Sequence, residues 1–278
     1  MNGNNLNLPE TLYKYRFYEG LKREHNFGTQ ALTEFKLYAS SAQHFNDPFD
    51  NSMPFLYTEE SFTLDLFTQK YLRDHPLRGR RPNIDLLMDA TERYNYIKSY
   101  PERHWKENKE MINQMDNDFY GILSLTKKSD NLLMWSHYAN FHKGYCIGWD
   151  ANGLMEFFGN NYQQFGCKIG PVDYRDEYPK LVFQIDPDVG SSIQRCFSKH
   201  TCWDYEQEYR VVLNKKADHI ITYPKELISE IYLGCKMSME HSEEIKRFLR
   251  QTNLTPKLYQ MEMSYNRFGL DQKEVAYR

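Results

Sequence analysis

The sequence predicts an α+β protein: short, twisted mixed or antiparallel sheets with flanking helices and a helical insert. Three observations predict it. Short segments with a two-residue alternation of apolar and polar side chains recur along the chain, the pattern of half-buried strands. Helical patterns are interspersed with them without the regular cadence of a doubly wound sheet. Residues 55–118 differ from their flanks in being highly charged, rich in Tyr and Arg, and nearly free of Gly. The whole chain, 1–278, is expected to form one domain carrying that insert.

The elements follow in order. Leu12-Tyr13-Lys14-Tyr15-Arg16-Phe17 alternates, with Tyr13, Tyr15 and Phe17 on one face and Lys14 and Arg16 on the other. A helix over 28–35 and a strand over 36–39 come next. The loop 40–50 contains Phe45-Asn46-Asp47-Pro48-Phe49-Asp50, a turn-rich run between two aromatic anchors. Within the insert, 83–98 and 102–115 have helical spacing of apolar residues, and Pro76, Pro82 and Pro101 punctuate it.

A buried strand over 119–126 is followed by a turn in which Ser129 or Asp130 caps the next helix. That helix, 131–141, holds Met134-Trp135-Ser136-His137-Tyr138, with Gly144 as its terminator. A strand over 145–150 returns. Further strands are expected at 171–174, 200–213, 230–233 and 257–263, with a last edge strand at 273–277. Helices are expected at 190–198 and 240–251.

Composition narrows the class. Hydrophobic residues make up 40% and aromatics 15%, with 22 Tyr and 17 Phe, enough for a sizeable core in 278 residues. A formal net charge of −3 lacks the basic excess of a dedicated duplex binder, although a local basic groove stays open. No long apolar window reads as a transmembrane helix, and no membrane partner is expected. The polar N-terminus lacks a signal pattern, so the expected location is the cytoplasm. The cysteines at 146, 167, 196, 202 and 235 include no C-x-x-C pair and read as reduced, mostly core residues.

The segment 200–213 carries the most chemistry. Read as one strand, it sends Trp203, Tyr205, Tyr209, Val211 and Leu213 one way and Glu206, Glu208 and Arg210 the other. That charged face is either the floor of a polar site or a solvent-facing strand with a charge pair. His137 is a candidate general acid or base. His137 and His142 are five apart and so turn about 140° from each other on a helix, which does not favour a shared metal. Asp47 and Asp50, joined with Glu206 and Glu208, would suit a divalent cation in a metal-dependent nuclease or phosphodiesterase. The alternative for Asp47 is an Asx turn within its own loop. The phosphate-binding loop, the dinucleotide fingerprint and the Gly-x-Ser-x-Gly elbow are absent from the sequence.

Four segments together resemble the mostly bacterial domain of unknown function 2971 family. They are Leu12-Tyr13-Lys14-Tyr15-Arg16; Phe45-Asn46-Asp47-Pro48-Phe49-Asp50; Met134-Trp135-Ser136-His137-Tyr138-Ala139 with His142-Lys143-Gly144; and Trp203-x-x-Glu206-x-Glu208-x-Arg210. The resemblance covers nearly all of the chain outside 55–118. It implies no activity, but it marks Asn46, Asp47, Asp50, His142, Lys143, Trp203 and Arg210 as further candidate site residues.

Arg16, then Ser124-Leu125-Thr126, then Glu206-Gln207-Glu208 also resemble, in order, the elements of Arg–Ser–Glu class ADP-ribosyltransferases. That resemblance implies NAD as donor and a protein or nucleic acid as acceptor, or hydrolysis of NAD alone. Glu208 would be the catalytic carboxylate and Glu206 its assistant. Arg16 would hold a phosphate, and Ser124 and Thr126 would support the pocket. His137 would line it, and Tyr15, Trp135 or Tyr138 would stack on a ring of the donor. Leu125 departs from the usual central Thr of that element. The non-enzymatic alternative is an interaction protein of a bacterial stress or phage-defence system, with a partner on the insert.

Overall fold

The computed structural model describes residues 8–21, 27–75, 77, 79–185 and 191–277. The expectations for the N-terminal segment 1–7, for Pro76 and for residue 190 fall outside that set. The chain divides into two compact units. One comprises Met1–Ser40, Gly121–Val172 and Cys202–Arg278, and the other Ser41–Tyr120 and Asp173–Thr201. The α+β class read from the sequence holds.

The first unit is built on a mixed sheet with eight strands among the described residues. They are β1 (Thr11–Arg16), β4 (Tyr120–Thr126), β5 (Tyr145–Asp150), β6 (Cys167–Pro171), β10 (Glu208–Asn214), β12 (Ile228–Leu233), β13 (Lys257–Met263) and β14 (Leu270–Glu274). Their order is β14-β13-β12-β5-β1-β4-β10-β6. β12 and β13 run parallel, joined by helix α8 (Met239–Thr252); β1 with β4, β1 with β5, β6 with β10, β5 with β12 and β13 with β14 are antiparallel. A small ribbon of β2 (Lys36–Ala39) and β11 (His219–Thr222) and the short helix α1 (Phe27–Thr33) complete this side.

Strand alternation divides the side chains between two cores. Leu12, Leu123, Leu125, Ile147, Trp149, Val211, Leu213 and Ile231 belong to the large one, with α1, α8 and helix α6 (Ala151–Tyr162) contributing Leu32, Leu249 and Phe158. Tyr15, Cys146, Tyr232 and Met261, on the opposite face, pack on Met134 and Trp135 of helix α5 (Leu132–Tyr138).

The second unit holds three helices of the insert, α2 (Leu64–Asp74), α3 (Asn83–Ser99) and α4 (Pro101–Phe119). It also holds the short strands β3 (Leu56–Tyr57) with β8 (Lys180–Leu181), and β7 (Asp173–Arg175) with β9 (Ser198–His200). Phe62, Tyr94 and Phe183 form its aromatic core.

Several elements differ from the sequence expectation. The strand over 200–213 is shorter: Thr201–Glu206 winds as a 3₁₀ helix and Gln207 turns left-handed (φ 44°) before β10 begins at Glu208. The helix over 131–141 stops at Tyr138, and Asn140, Phe141 and His142 all take positive φ. Its cap is Asn131, which accepts from the Leu133 and Met134 amides, and not Ser129 or Asp130. The strand at 171–174 is two strands, β6 and β7. The helix over 190–198 is α7 (Ser191–Arg195), and the last strand is Leu270–Glu274. Helix α6, capped by Asp150 accepting from Asn152 and Gly153, and strand β11 were not foreseen.

Candidate functional site

The charged groups of β10 are buried. Glu208 is 4% exposed and Arg210 1%. Arg210 donates to both carboxylate oxygens of Glu208, Nε to Oε1 at 2.8 Å and Nη2 to Oε2 at 3.1 Å. Such a two-toothed pair fixes both side chains, and in a dry setting each charge depends on the other. The solvent-facing alternative for this face is therefore corrected. Glu206, 3% exposed, stands on the last residue of the 3₁₀ turn instead of on the strand, and the Tyr138 hydroxyl donates to its Oε1 at 2.7 Å.

The corner that presents Glu206 is pinned from β4 and α5. Thr126 Oγ1 donates to the Glu206 carbonyl at 2.5 Å, and Asn131 Nδ2 to the Tyr205 carbonyl at 2.8 Å. The Lys127 amide reaches the Gln207 carbonyl at 3.4 Å. Tyr15 ties the same loop: its hydroxyl donates to the Lys128 carbonyl at 2.9 Å and accepts from the Asn131 amide at 3.2 Å. Thr126 thus ties β4 to the acidic corner.

β1 and β4 are in register only at Tyr13 and Thr126. Beyond that pair Lys14 Nζ donates to the Ser124 carbonyl at 2.5 Å, filling a place that a strand amide would take in a continued ladder. Burial drives the Lys14 ammonium well below its ordinary range. The Arg16 charge adds to that lowering, and Glu208 and Glu206 oppose it. Arg16 is also lowered by burial, with Tyr145 and Tyr223 acting the other way. Its Nε is buried with no hydrogen-bond partner among the described residues. The two tyrosine hydroxyls donate to the α1 carbonyls of Gly28 and Ala31.

Not all the expected residues meet. By alternation Ser124, Thr126, Glu208 and Arg210 share a face with Tyr15, whereas Lys14 and Arg16 share the opposite face with Leu12. Trp135 and Tyr15 are buried edge-to-face against each other, centroids 5.2 Å apart, and Trp135 Nε1 donates to the Ser129 carbonyl. Neither presents a free ring for stacking, which corrects that expectation. His137 is exposed, touching the Tyr138 ring edge-on. His142 lies past the helix end, stacked on Trp135 with centroids 6.3 Å apart, and burial and the Lys236 charge lower its pKa. Lys143 is exposed, and Trp203 packs on Tyr205.

Asn46, Asp47 and Asp50 belong to the second unit. Asp47 Oδ1 accepts the Phe49 amide at 3.0 Å, the Asx turn offered as its alternative. Among the described residues, no group of three or more His, Cys, Asp or Glu could hold a metal ion. Two contributors are not among the site residues expected from the sequence, Lys14 and Asn131. The only signal for Asn131 was its place before an apolar helical run.

Residues 134–211 match the family model described as a protein of unknown function (DUF2971). The DUF2971 span contains two of the four segments that carry the resemblance, the one around Trp135 and His137 and the one around Glu206, Glu208 and Arg210. It therefore includes Tyr138, the Glu206 corner and the Glu208–Arg210 pair. No curated protein and no solved structure matches the chain. Among the described residues, no helix is long and apolar enough to cross a membrane.

Proposed function

We propose that this protein transfers an ADP-ribosyl group from NAD to a macromolecule, or to water, in the cytoplasm. One observation carries the reading. Arg16, Ser124-x-Thr126 and the Glu206-x-Glu208 corner lie on or beside β1, β4 and β10, three neighbouring strands of one sheet. The strands that carry these residues are neighbours, although Arg16 faces the opposite side of the sheet from Ser124, Thr126 and Glu208.

In this reading each side chain has a task. Glu208, oriented by Arg210, supplies fixed negative charge to the ribose carbon as its bond to nicotinamide breaks. Glu206, held by Tyr138, takes a ribose hydroxyl. Arg16, whose Nε has no partner among the described residues, suits a phosphate oxygen. Because Arg16 and Glu208 face opposite sides of the sheet, the donor would cross where β1 and β4 part company, beside Lys14.

The test is nicotinamide release from NAD by the purified protein, with and without bacterial lysate, beside Glu208→Gln. Release that falls about 10²–10³-fold in the variant, while the chain stays folded, is the expected result. No release from the native chain, with no NAD-induced thermal shift, sinks the proposal.

A second reading is favoured by the helical insert. Ile84, Leu87 and Met88 of α3 are exposed at one-face helical spacing, as are Met111 and Met115 of α4. Such stripes suit a partner protein, and Glu208–Arg210 would then be structural. Under that reading Glu208→Gln lowers the melting temperature and there is no turnover to lose.

A further inference from the structure

The Phe45-Asn46-Asp47-Pro48-Phe49-Asp50 segment takes no part in the site above. With Asn51, and with Asn113 and Asn117 of α4, it lines a cavity of about 290 Å³ in the second unit. The walls are built from buried polar groups. Asp47 and Asn51 are 6% and 3% exposed. Asp50 has a buried cation beside it, Lys199 Nζ at 3.5 Å from its Oδ2.

Asn51 is anchored through its backbone and its side chain. It takes a left-handed backbone (φ 57°), and its carbonyl accepts from Arg195 Nη2 at 3.1 Å. Arg195 is itself buried and paired with Asp116 at 2.5 Å. The Cys196 thiol donates to Asn51 Oδ1 at 3.4 Å. With so much holding it, Asn51 Nδ2 is nevertheless buried without a hydrogen-bond partner among the described residues. The same is true of Asn113 Oδ1, although Asn113 Nδ2 donates to Ser52 Oγ at 2.8 Å. The Asp47 carboxylate receives the Phe49 amide on Oδ1, and its Oδ2 has no protein donor among the described residues. Buried polar groups in folded proteins are nearly always paired, so unsatisfied ones around a cavity mark positions for ligand atoms.

The inventory is specific: two acceptors, Asp47 Oδ2 and Asn113 Oδ1, and one donor, Asn51 Nδ2. An amino group offers two N–H bonds, and beside it in adenine or cytosine sits a ring nitrogen that accepts one. Among the described residues no Lys or Arg lines the cavity, so it is suited to a base and not to a phosphate. Phe45 adds a ring to the wall, as pockets for unstacked bases commonly do. We infer that this cavity binds an amino-bearing nucleobase, presented by a nucleoside or by an unpaired nucleic-acid strand. The inference does not depend on the transfer reading.

Calorimetric titration of the full chain with adenosine, cytidine, uridine and glucose tests it. Adenosine or cytidine is expected to bind about tenfold or more tighter than uridine, which lacks the amino group, and glucose not at all. Asp47→Asn keeps an oxygen for the Phe49 amide but replaces the accepting Oδ2 with a donor. Asn51→Gly keeps the left-handed backbone and removes the amide. Each is expected to weaken binding about tenfold, the value of one good base-edge contact. If Asp47→Asn does not fold, Asn51→Gly carries the test. Single-stranded oligo-dA titrated beside adenosine separates the sources. Tighter binding of the strand identifies nucleic acid, and equal binding identifies a free nucleoside. The inference is overturned if no nucleoside binds at millimolar concentration, if uridine binds equally well, or if binding survives both variants.

Discussion

Glu208 and Arg210 share two hydrogen bonds in a setting with almost no water, so the two residues stand or fall together. Glu208→Ala takes both of these bonds from a buried guanidinium and is expected to cost about 3–5 kcal/mol in denaturant unfolding. Glu208→Gln keeps an acceptor for Arg210 and is expected to cost less, while turnover falls about 10²–10³-fold under the transfer reading. Equal losses of stability for Ala and Gln would mean that the charge itself holds the strand. Tyr138→Phe removes one hydrogen bond to the buried Glu206 carboxylate, with an expected cost of about 1.5–3 kcal/mol. An unchanged unfolding midpoint would mean that Tyr138 does not hold that carboxylate. Lys14 shows where sequence stops being informative at this scale. Alternation groups it with Arg16 correctly, but alternation does not say which face of a strand is wet. Only the parting of β1 from β4 explains a lysine reaching the Ser124 carbonyl.

At the scale of elements, the strands that were legible are those whose alternation or apolar run is uninterrupted: β1, β5, β12 and β13. The misread stretch, 201–207, continues the two-residue alternation of β10 into a 3₁₀ turn, and nothing in the pattern announces Gln207's left-handed corner. Helix α6 was hidden by Asn152, Gly153, Gly159, Asn160 and Asn161, which read as breakers. The Asp150 cap and the buried Ala151, Leu154 and Phe158 override them. Two glycines separate packing from propensity. A Cβ on Gly144 would stand 2.1 Å from the Arg16 carbonyl oxygen, backbone that cannot swing away. Gly144→Ala is therefore expected to destabilise by about 1–3 kcal/mol. Gly159 lies inside α6 with nothing within 4 Å of the same atom, so Gly159→Ala is expected to stabilise by about 0.5–1 kcal/mol. Melting curves of the two variants should shift in opposite directions. Shifts of one sign would mean that the close approach at Gly144 does not exist.

At the scale of the molecule, composition sets residues 55–118 apart from their flanks, but the inclusion of residues 173–201 in the same unit has no such signal, because short strands such as β7 and β9 carry too few residues for a pattern. Acid sensitivity, by contrast, sums over both units. His104, His142 and His219 all have pKa values lowered chiefly by burial. Lys236 reinforces the shift at His142 and Lys216 at His219, while at His104 Glu107 opposes burial and Arg93 assists it. A histidine lowered in the folded state binds fewer protons there than in the unfolded chain, whose value is about 6.5. Stability from these groups is therefore complete above about pH 6.5 and is lost as pH falls through their folded values. Asp116, raised by burial, acts in the opposite sense, nearer the carboxylate range. The melting temperature is thus expected to fall between about pH 6.5 and 5, before most carboxylates titrate. The double variant His142→Gln, His219→Gln should flatten that slope while leaving stability above pH 7 nearly unchanged. A melting temperature that rises on acidification through this window would show that the histidines gain charge on folding, contrary to their burial.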